Sequence, residues 1–178
     1  MNNVYSMEGC NLFCGDHDPS ASNHLVLQEM KLPALEENYV DHAAGGAPVA
    51  IEIDTHVNRL EATFNLAGWN PWVMTLIGES RRERQVFTSY GLIRDRRLGE
   101  AIDAMAVIQG RLGRASPTAF SHGALMAHEF SIRAIVHYEL YMGGEEIYWW
   151  DFFTSTRRIG GADLNFDFNR ILRIPVSV

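Results

Sequence analysis

Lysine is almost missing from this 178-residue chain. Lys31 is the only one, and 22 acidic residues against 15 basic ones leave a net charge of -7. Tight nucleic-acid binding depends on clustered Lys and Arg that displace counterions from phosphates. The arginines here are scattered or fall in short pairs, Arg81-Arg82, Arg96-Arg97 and Arg157-Arg158, and form no basic stripe. Long apolar runs are lacking too. None approaches the ~20 residues of a membrane-spanning helix, and the first residues hold no apolar core of a signal peptide. The expectation is a protein made and kept in a cytoplasm until something else releases it. A chain this long suits one domain with a sizeable core, so disulfide staples are not needed.

Cysteine is scarce as well, with only Cys10 and Cys14. On an extended strand they share a face roughly 13 Å apart at ~3.3 Å per residue. A disulfide requires Cα atoms within ~7 Å. They pair with each other only in a turn or helix. Otherwise they are free thiols in a reducing compartment, or bond other chains once a particle meets an oxidising medium.

Catalytic and metal-binding patterns are also absent. The seven histidines fall in no metal-ligand spacing, and Asp16-His17-Asp18 reads as a solvated loop tripeptide. Glu36-Glu37, Asp41-His42 and Glu145-Glu146 bring carboxylates together, as acid-base chemistry would need. They sit in turns and loops, so solvated or interface charge is the better reading. Cys14 has no local signature of a nucleophile. Gly110 and Gly113 lack the Lys-Ser/Thr of a phosphate loop. No cofactor, metal or enzymatic activity is expected.

What is present is alternation, the mark of half-buried strands. Residues 1–10 read as loosely ordered and 11–14 as a short strand. Further strands are expected over 24–32, 85–94, 101–112, 127–142 and 145–154, with a last one over 163–174. Residues 113–124 read as a second long loop. In 127–142, His128, Phe130, Ile132, Ala134, Val136 and Tyr138 share one face, while Glu129, Arg133, His137 and Glu139 share the other. Sixteen such residues span about 50 Å, more than a typical strand, so this strand bends at a bulge or runs the length of an assembly. Gly143-Gly144 marks a tight hairpin. Trp149 and Trp150 point to opposite faces, so either one is core and the other faces a partner or a sheet, or both pack in the core. Asn70-Pro71 fits a helix start with Asn at N-cap and Pro at N1. Trp72, Val73, Leu76 and Ile77 make one apolar helix face, and Gly78 a stop. The expected fold is mainly β, a barrel or two-sheet sandwich with one short helix.

The chain is organised around residues 32–71. Residues 34–48, with Gly45 and Gly46, read as a long flexible loop. Beyond it Val49, Ile51 and Ile53 share one strand face. Leu60, Ala62, Phe64 and Leu66 share another, with a turn or bulge near 55–58. This stretch, LPALEENYVDHAAGGAPV followed by a strand pair and Gly68-Trp69-Asn70-Pro71, resembles the major tail tube protein of contractile-tailed phages. The resemblance runs from Asn11-Leu12-Phe13 onward and is strongest over residues 25–77.

The resemblance implies a structural subunit whose hexameric rings stack into a tube for genome delivery. It would be assembled in the host cytoplasm and carried in the virion. The implied partners are further copies of itself, the tail sheath, the tape-measure protein, and the baseplate and terminator proteins. DNA would transit the lumen without specific binding. The matching loop of that family reaches a neighbouring ring or subunit, which makes Leu35, Glu36, Glu37, Asn38, Tyr39, Gly45 and Gly46 the expected contact residues. Glu129 and Glu139 are candidates to face the lumen, and Cys10 and Cys14 for inter-chain disulfides. Two alternatives stand beside it: the related secreted tube of a type VI-like injection system, and a monomeric β-barrel enzyme or binding protein.

Overall fold

A computed structural model describes residues 3–15, 18–68, 70–78, 83–119, 122–123 and 125–175. The Asp16-His17 part of the loop tripeptide, Trp69 of the helix-start motif and the Arg81-Arg82 pair lie outside the described residues. The fold is mainly β. Its strands are β1 (Tyr5–Cys14), β2 (Leu27–Lys31), β3 (Glu37–His42), β4 (Ile51–Val57), β5 (Ala62–Ala67) and β6 (Gln85–Asp95). They continue with β7 (Ala101–Pro117), β8 (Ala127–Met142), β9 (Glu145–Asp151), β10 (Thr156–Ile159) and β11 (Ala162–Asp163). Helix α1 spans Pro71–Thr75 and α2 Phe166–Leu172.

One large antiparallel sheet follows the path β1-β6-β7-β8-β9-β10-β11, with β2 and β5 branching from β8. The ends of that path do not meet, so the barrel expected as one option is not closed. The branch explains the length of β8. Its residues 127–132 pair with β5 and its residues 137–142 with β9, while β7 runs along its other edge. Between the two halves Ala134 takes a left-handed φ of 49°, and the β7 register shifts where Gln109 faces His137 and Arg111 faces Arg133. Two extra residues on β8 form the bulge. An even number preserves the alternation, so Ile132 and Tyr138 both stay in the core.

Gly110 makes room for this bulge. A Cβ there would lie 2.9 Å from both the Arg133 carbonyl oxygen and Ile132 Cγ2. Backbone cannot retreat as a flexible side chain does, so Gly110→Ala overpacks the fork. The expected loss is about 1–3 kcal/mol, seen as a lowered unfolding midpoint in thermal circular dichroism. Gly9→Ala, on β1 with open space around the added methyl, controls for the loss of glycine alone.

The curled sheet encloses one core, built from Leu12 and Cys14 of β1, Phe64 and Leu66 of β5, Phe87 of β6, Ile108 of β7 and Phe130 and Ile132 of β8. The Phe64 and Phe130 rings stack at 5.0 Å. Helix α1 plugs this core with Val73 and Leu76. Its cap is as expected: Asn70 Oδ1 accepts from the Val73 amide at 3.4 Å, with Pro71 in the first turn. The Asn70 amide also donates to Asn23 Oδ1 at 2.8 Å, and buried Asn23 donates to the Leu12 carbonyl at 2.9 Å. That chain of hydrogen bonds ties the helix to β1. Trp72 departs from the expected apolar face and stays 45% exposed.

Four expectations are corrected. Strand β1 begins at Tyr5 because β6 offers it a full-length partner, Tyr5 opposite Asp95 through Cys14 opposite Phe87. Strand β7 continues through the expected loop to Pro117, paired with β8 as far as His128. The loop over 34–48 contains a strand, β3, which pairs with β4. Last, residues 166–172 form a helix rather than a strand. Leu164, Phe166 and Phe168 alternate as they would in a strand, but local polar contacts decide otherwise. Asp163 Oδ1 accepts from the Asn165 amide at 2.9 Å. Asn165 and Asn169, four residues apart, both donate side-chain amide protons to the Ser155 carbonyl, at 2.9 and 2.8 Å. Only helical spacing stacks positions i and i+4 on one side.

Candidate assembly site

Strands β3 and β4 form a second, two-stranded sheet of their own. Ile51, Ile53, Thr55 and Val57 favour extended backbone, and Gly45-Gly46 lies in the connecting turn. At the base of this arm the Asn58 amide donates to the Glu36 carbonyl at 2.8 Å. Arg157 of β10 pairs with Glu37 at 3.1 Å. A bulge at Asn38/Tyr39 shifts the register, and Thr55 Oγ1 donates to the Asn38 carbonyl at 2.9 Å.

The register sorts the arm into two unlike faces. Val40 opposes Ile53 and His42 opposes Ile51, whereas Tyr39 opposes Asp54 and Asp41 opposes Glu52. One face is apolar and the other acidic. Val40, Ile51 and Ile53 are about half exposed or more, and no residue of β3 or β4 is buried. The acidic face raises the Tyr39 phenol above its ordinary pKa, chiefly through its hydrogen bond to Glu37, with Asp54 and Glu52 adding to it. Residues 34–57 carry five carboxylates and no Lys or Arg. An isolated hairpin is marginally stable in water, and a contiguous exposed apolar patch marks an interaction surface.

Of the expected contact residues, Glu37, Asn38 and Tyr39 lie on β3, Leu35 and Glu36 at the arm's root, and Gly45 and Gly46 in its tip. Sequence reasoning missed Val40, Ile51 and Ile53, having assigned the two isoleucines to a half-buried strand. The available signal was composition: their neighbours Glu52 and Asp54 are acidic.

Glu129 and Glu139 lie on the outer side of β8, in different settings. Glu129 has a side chain 47% exposed, 4.0 Å from Arg114. Glu139 is largely covered. It faces His137 Nε2 at 2.7 Å and accepts from Trp149 Nε1 at 3.2 Å. His137 Nδ1 in turn faces Asp151 at 3.1 Å. Burial pushes the Asp151 carboxyl up, but hydrogen bonds from Thr154 and His137 outweigh it and leave it below its ordinary value. This network clamps β8 to β9. Arg158 completes it, stacked 4.1 Å over Trp149 and paired with Glu146.

The cysteines share a face of β1, as extended backbone requires. Cys14 is 1% exposed, and burial pushes its thiol pKa up to about 12. The core covers Cys14, so an inter-chain bond through it would need β1 to open. Cys10 is partly exposed, with its pKa raised by burial. Iodoacetamide treatment of the native protein followed by mass spectrometry should therefore label Cys10 alone, with Cys14 labelled only in denaturant. One accessible thiol per chain joins chains in pairs. A non-reducing gel of oxidised particles with bands beyond the dimer would contradict this assignment.

No group of three His, Cys, Asp or Glu side chains capable of holding a metal converges among the described residues. The family model described as phage tail tube protein FII matches residues 7–172. The chain belongs to that family. No curated protein matches this tube subunit in sequence. Solved structures share its fold at low identity. A chain of the PVC sheath-tube complex, an extracellular contractile injection system in its extended state, is 8% identical with a TM-score of 0.54. That match covers 75% of the tube subunit and 87% of the other chain. A chain of the sheath/tube terminator of the same kind of system is 9% identical, with a TM-score of 0.53 and coverage of 76% and 93%. One from the anti-feeding prophage baseplate is 11% identical, with a TM-score of 0.50 and coverage of 80% and 93%.

Proposed function

We propose that this tail tube subunit forms hexameric rings that stack into a hollow conduit, and that the arm spanning residues 37–57 holds neighbouring copies together. The observation that carries this reading is the arm itself, a separate two-stranded sheet that leaves Val40, Ile51 and Ile53 about half exposed or more. Leu35, Glu36, Glu37, Asn38, Tyr39, Gly45 and Gly46 act in the contact as its root, first strand and tip. The role is structural and passive, without catalysis. A sheath surrounds the tube, a tape-measure protein sets its length, and baseplate and terminator proteins close its ends. DNA passes through without specific binding, because a chain of net charge -7 repels phosphates. Screening over ~8 Å restricts that repulsion to carboxylates close to the strand. Glu129 suits a lumen position better than Glu139, whose carboxylate already has two partners.

The second reading is a tube that carries protein cargo. The fold likeness to chains of contractile injection systems favours it. Gene neighbours separate the two, since a phage carries capsid and packaging genes beside the sheath. The test of the shared reading is negative-stain microscopy of particles from the producing cell, with antibody against this chain. Label along the tail interior after sheath contraction is expected. Label on a capsid shell alone overturns the reading.

A further inference from the structure

The tube subunit also carries a surface that fits the arm. A cavity of about 600 Å³ opens beside the arm root, lined by Leu60, Ile135, Tyr148, Trp150 and Phe152 among others. Ala134, with its left-handed backbone, forms part of the wall. Strain of this kind persists where surrounding structure holds it and gathers at functional sites. Three arginines line the cavity, Arg59, Arg133 and Arg157, against one carboxylate, Glu61. Glu61 is already paired with Arg133 at 2.8 Å. Arg59 is exposed and pairs with no carboxylate among the described residues. Asn165 joins the cavity to α2. That helix buries its Asn169 and leaves Phe166, Phe168, Ile171 and Leu172 more than half exposed.

We infer that this cavity is the receptor for the arm of the next copy of the chain, a step that rests on the assembly role proposed for the arm. The apolar face of Val40, Ile51 and Ile53 meets the aromatic lining of Trp150 and the exposed Phe152. The carboxylates of residues 34–57 other than Glu37, which Arg157 already holds, meet a rim where Arg133 is taken by Glu61 and Arg59 is left as one unmatched positive charge. The chain's own arm meets this cavity only at its root, at Val57 and Asn58. Arm and cavity are different patches on one chain, so the contact is heterologous. Such contacts propagate head to tail into rings or helical stacks and do not stop at a dimer. Each occupied cavity also lies at the root of the next arm, which orders the copies in one direction.

The test is cross-linking within assembled tubes. In a Cys10→Ser background, Ile53→Cys on the arm and Phe152→Cys at the cavity are placed in one chain, and each is also made alone. Mild oxidation of tubes should give a ladder of multimers from the double variant, collapsing on reduction, and no more than dimers from either single variant. Tubes of normal appearance that give no ladder overturn the assignment of the cavity and leave the tube reading intact. Absence of tubes from the unsubstituted protein strikes the tube reading itself. A charge exchange gives the second measurement should the cysteine variants not assemble. Arg59→Glu and Asp54→Arg should each raise the concentration needed for polymerisation at least tenfold, and together restore most of it. Full additivity of the two defects overturns the proposal, as does cross-linking of the Phe152→Cys site to sheath rather than to an arm.

Discussion

Replacing residues 37–57 with a Gly-Gly link abolishes tube assembly and leaves a folded subunit. The excision is geometrically simple, because the Asn58 amide already lies 2.8 Å from the Glu36 carbonyl oxygen. It removes no buried residue. The body loses one partly exposed ion pair, Arg157 with Glu37, and pairs of this kind contribute about 0–1 kcal/mol. The unfolding midpoint should therefore stay within a few degrees of the parent. Assembly behaves differently. Each ring contact loses the whole apolar face of the arm, worth about 25 cal/mol per Å² of covered apolar surface, and a ring multiplies that loss over its contacts. Sedimentation velocity together with circular dichroism checks both halves. A truncated subunit that unfolds would show that the arm belongs to the core, and one that still polymerises would show that assembly uses other surfaces.

The second large effect lies in the core. Phe130→Ala should cost about 3–5 kcal/mol, the usual range for emptying an aromatic site. Phe130 is 1% exposed and stacks on Phe64, at the half of β8 that joins β5 to β7. The rigid sheets on three strands leave the void little chance to collapse. Domains have about 5–15 kcal/mol in total, so the variant sits near its unfolding threshold. The midpoint should fall by on the order of 10 °C, taking 2–4 °C per kcal/mol for a chain of this size. Differential scanning calorimetry reads this directly, and Phe130→Leu should recover more than half of the loss. A fall of only a few degrees would mean that the Phe64–Phe130 stack is not central to the core.

Much of this architecture is legible in residue order. The alternation over 127–142 coincides with β8 from end to end, and Gly143-Gly144 takes left-handed φ values of 61° and 77° as a tight hairpin needs. Asn70-Pro71 caps α1 through a contact that residue types alone suggest. The fork in the sheet was hidden because a two-residue bulge leaves the alternation in phase. The final helix was hidden because Phe166 and Phe168 imitate a strand, and its determinant is the Ser155 carbonyl, ten residues upstream of Asn165. The arm was half visible. Glycines and carboxylates mark 34–48 as exposed, but pairing with β4 depends on register, which no composition states. Its apolar face looked like core because β-branched residues serve a core and an inter-subunit contact equally well. The receptor cavity draws on β8, β9 and the segment after β4, distant in sequence, and no local pattern announces it.

Cryo-electron microscopy of the purified chain, polymerised at high concentration or within tails, tests the central claim most directly. The expected reconstruction is a hollow tube of stacked six-subunit rings, with each arm of residues 37–57 lying on a neighbouring copy and its Val40, Ile51 and Ile53 face covered. A solid filament, or a population that remains monomeric with free arms, would contradict it.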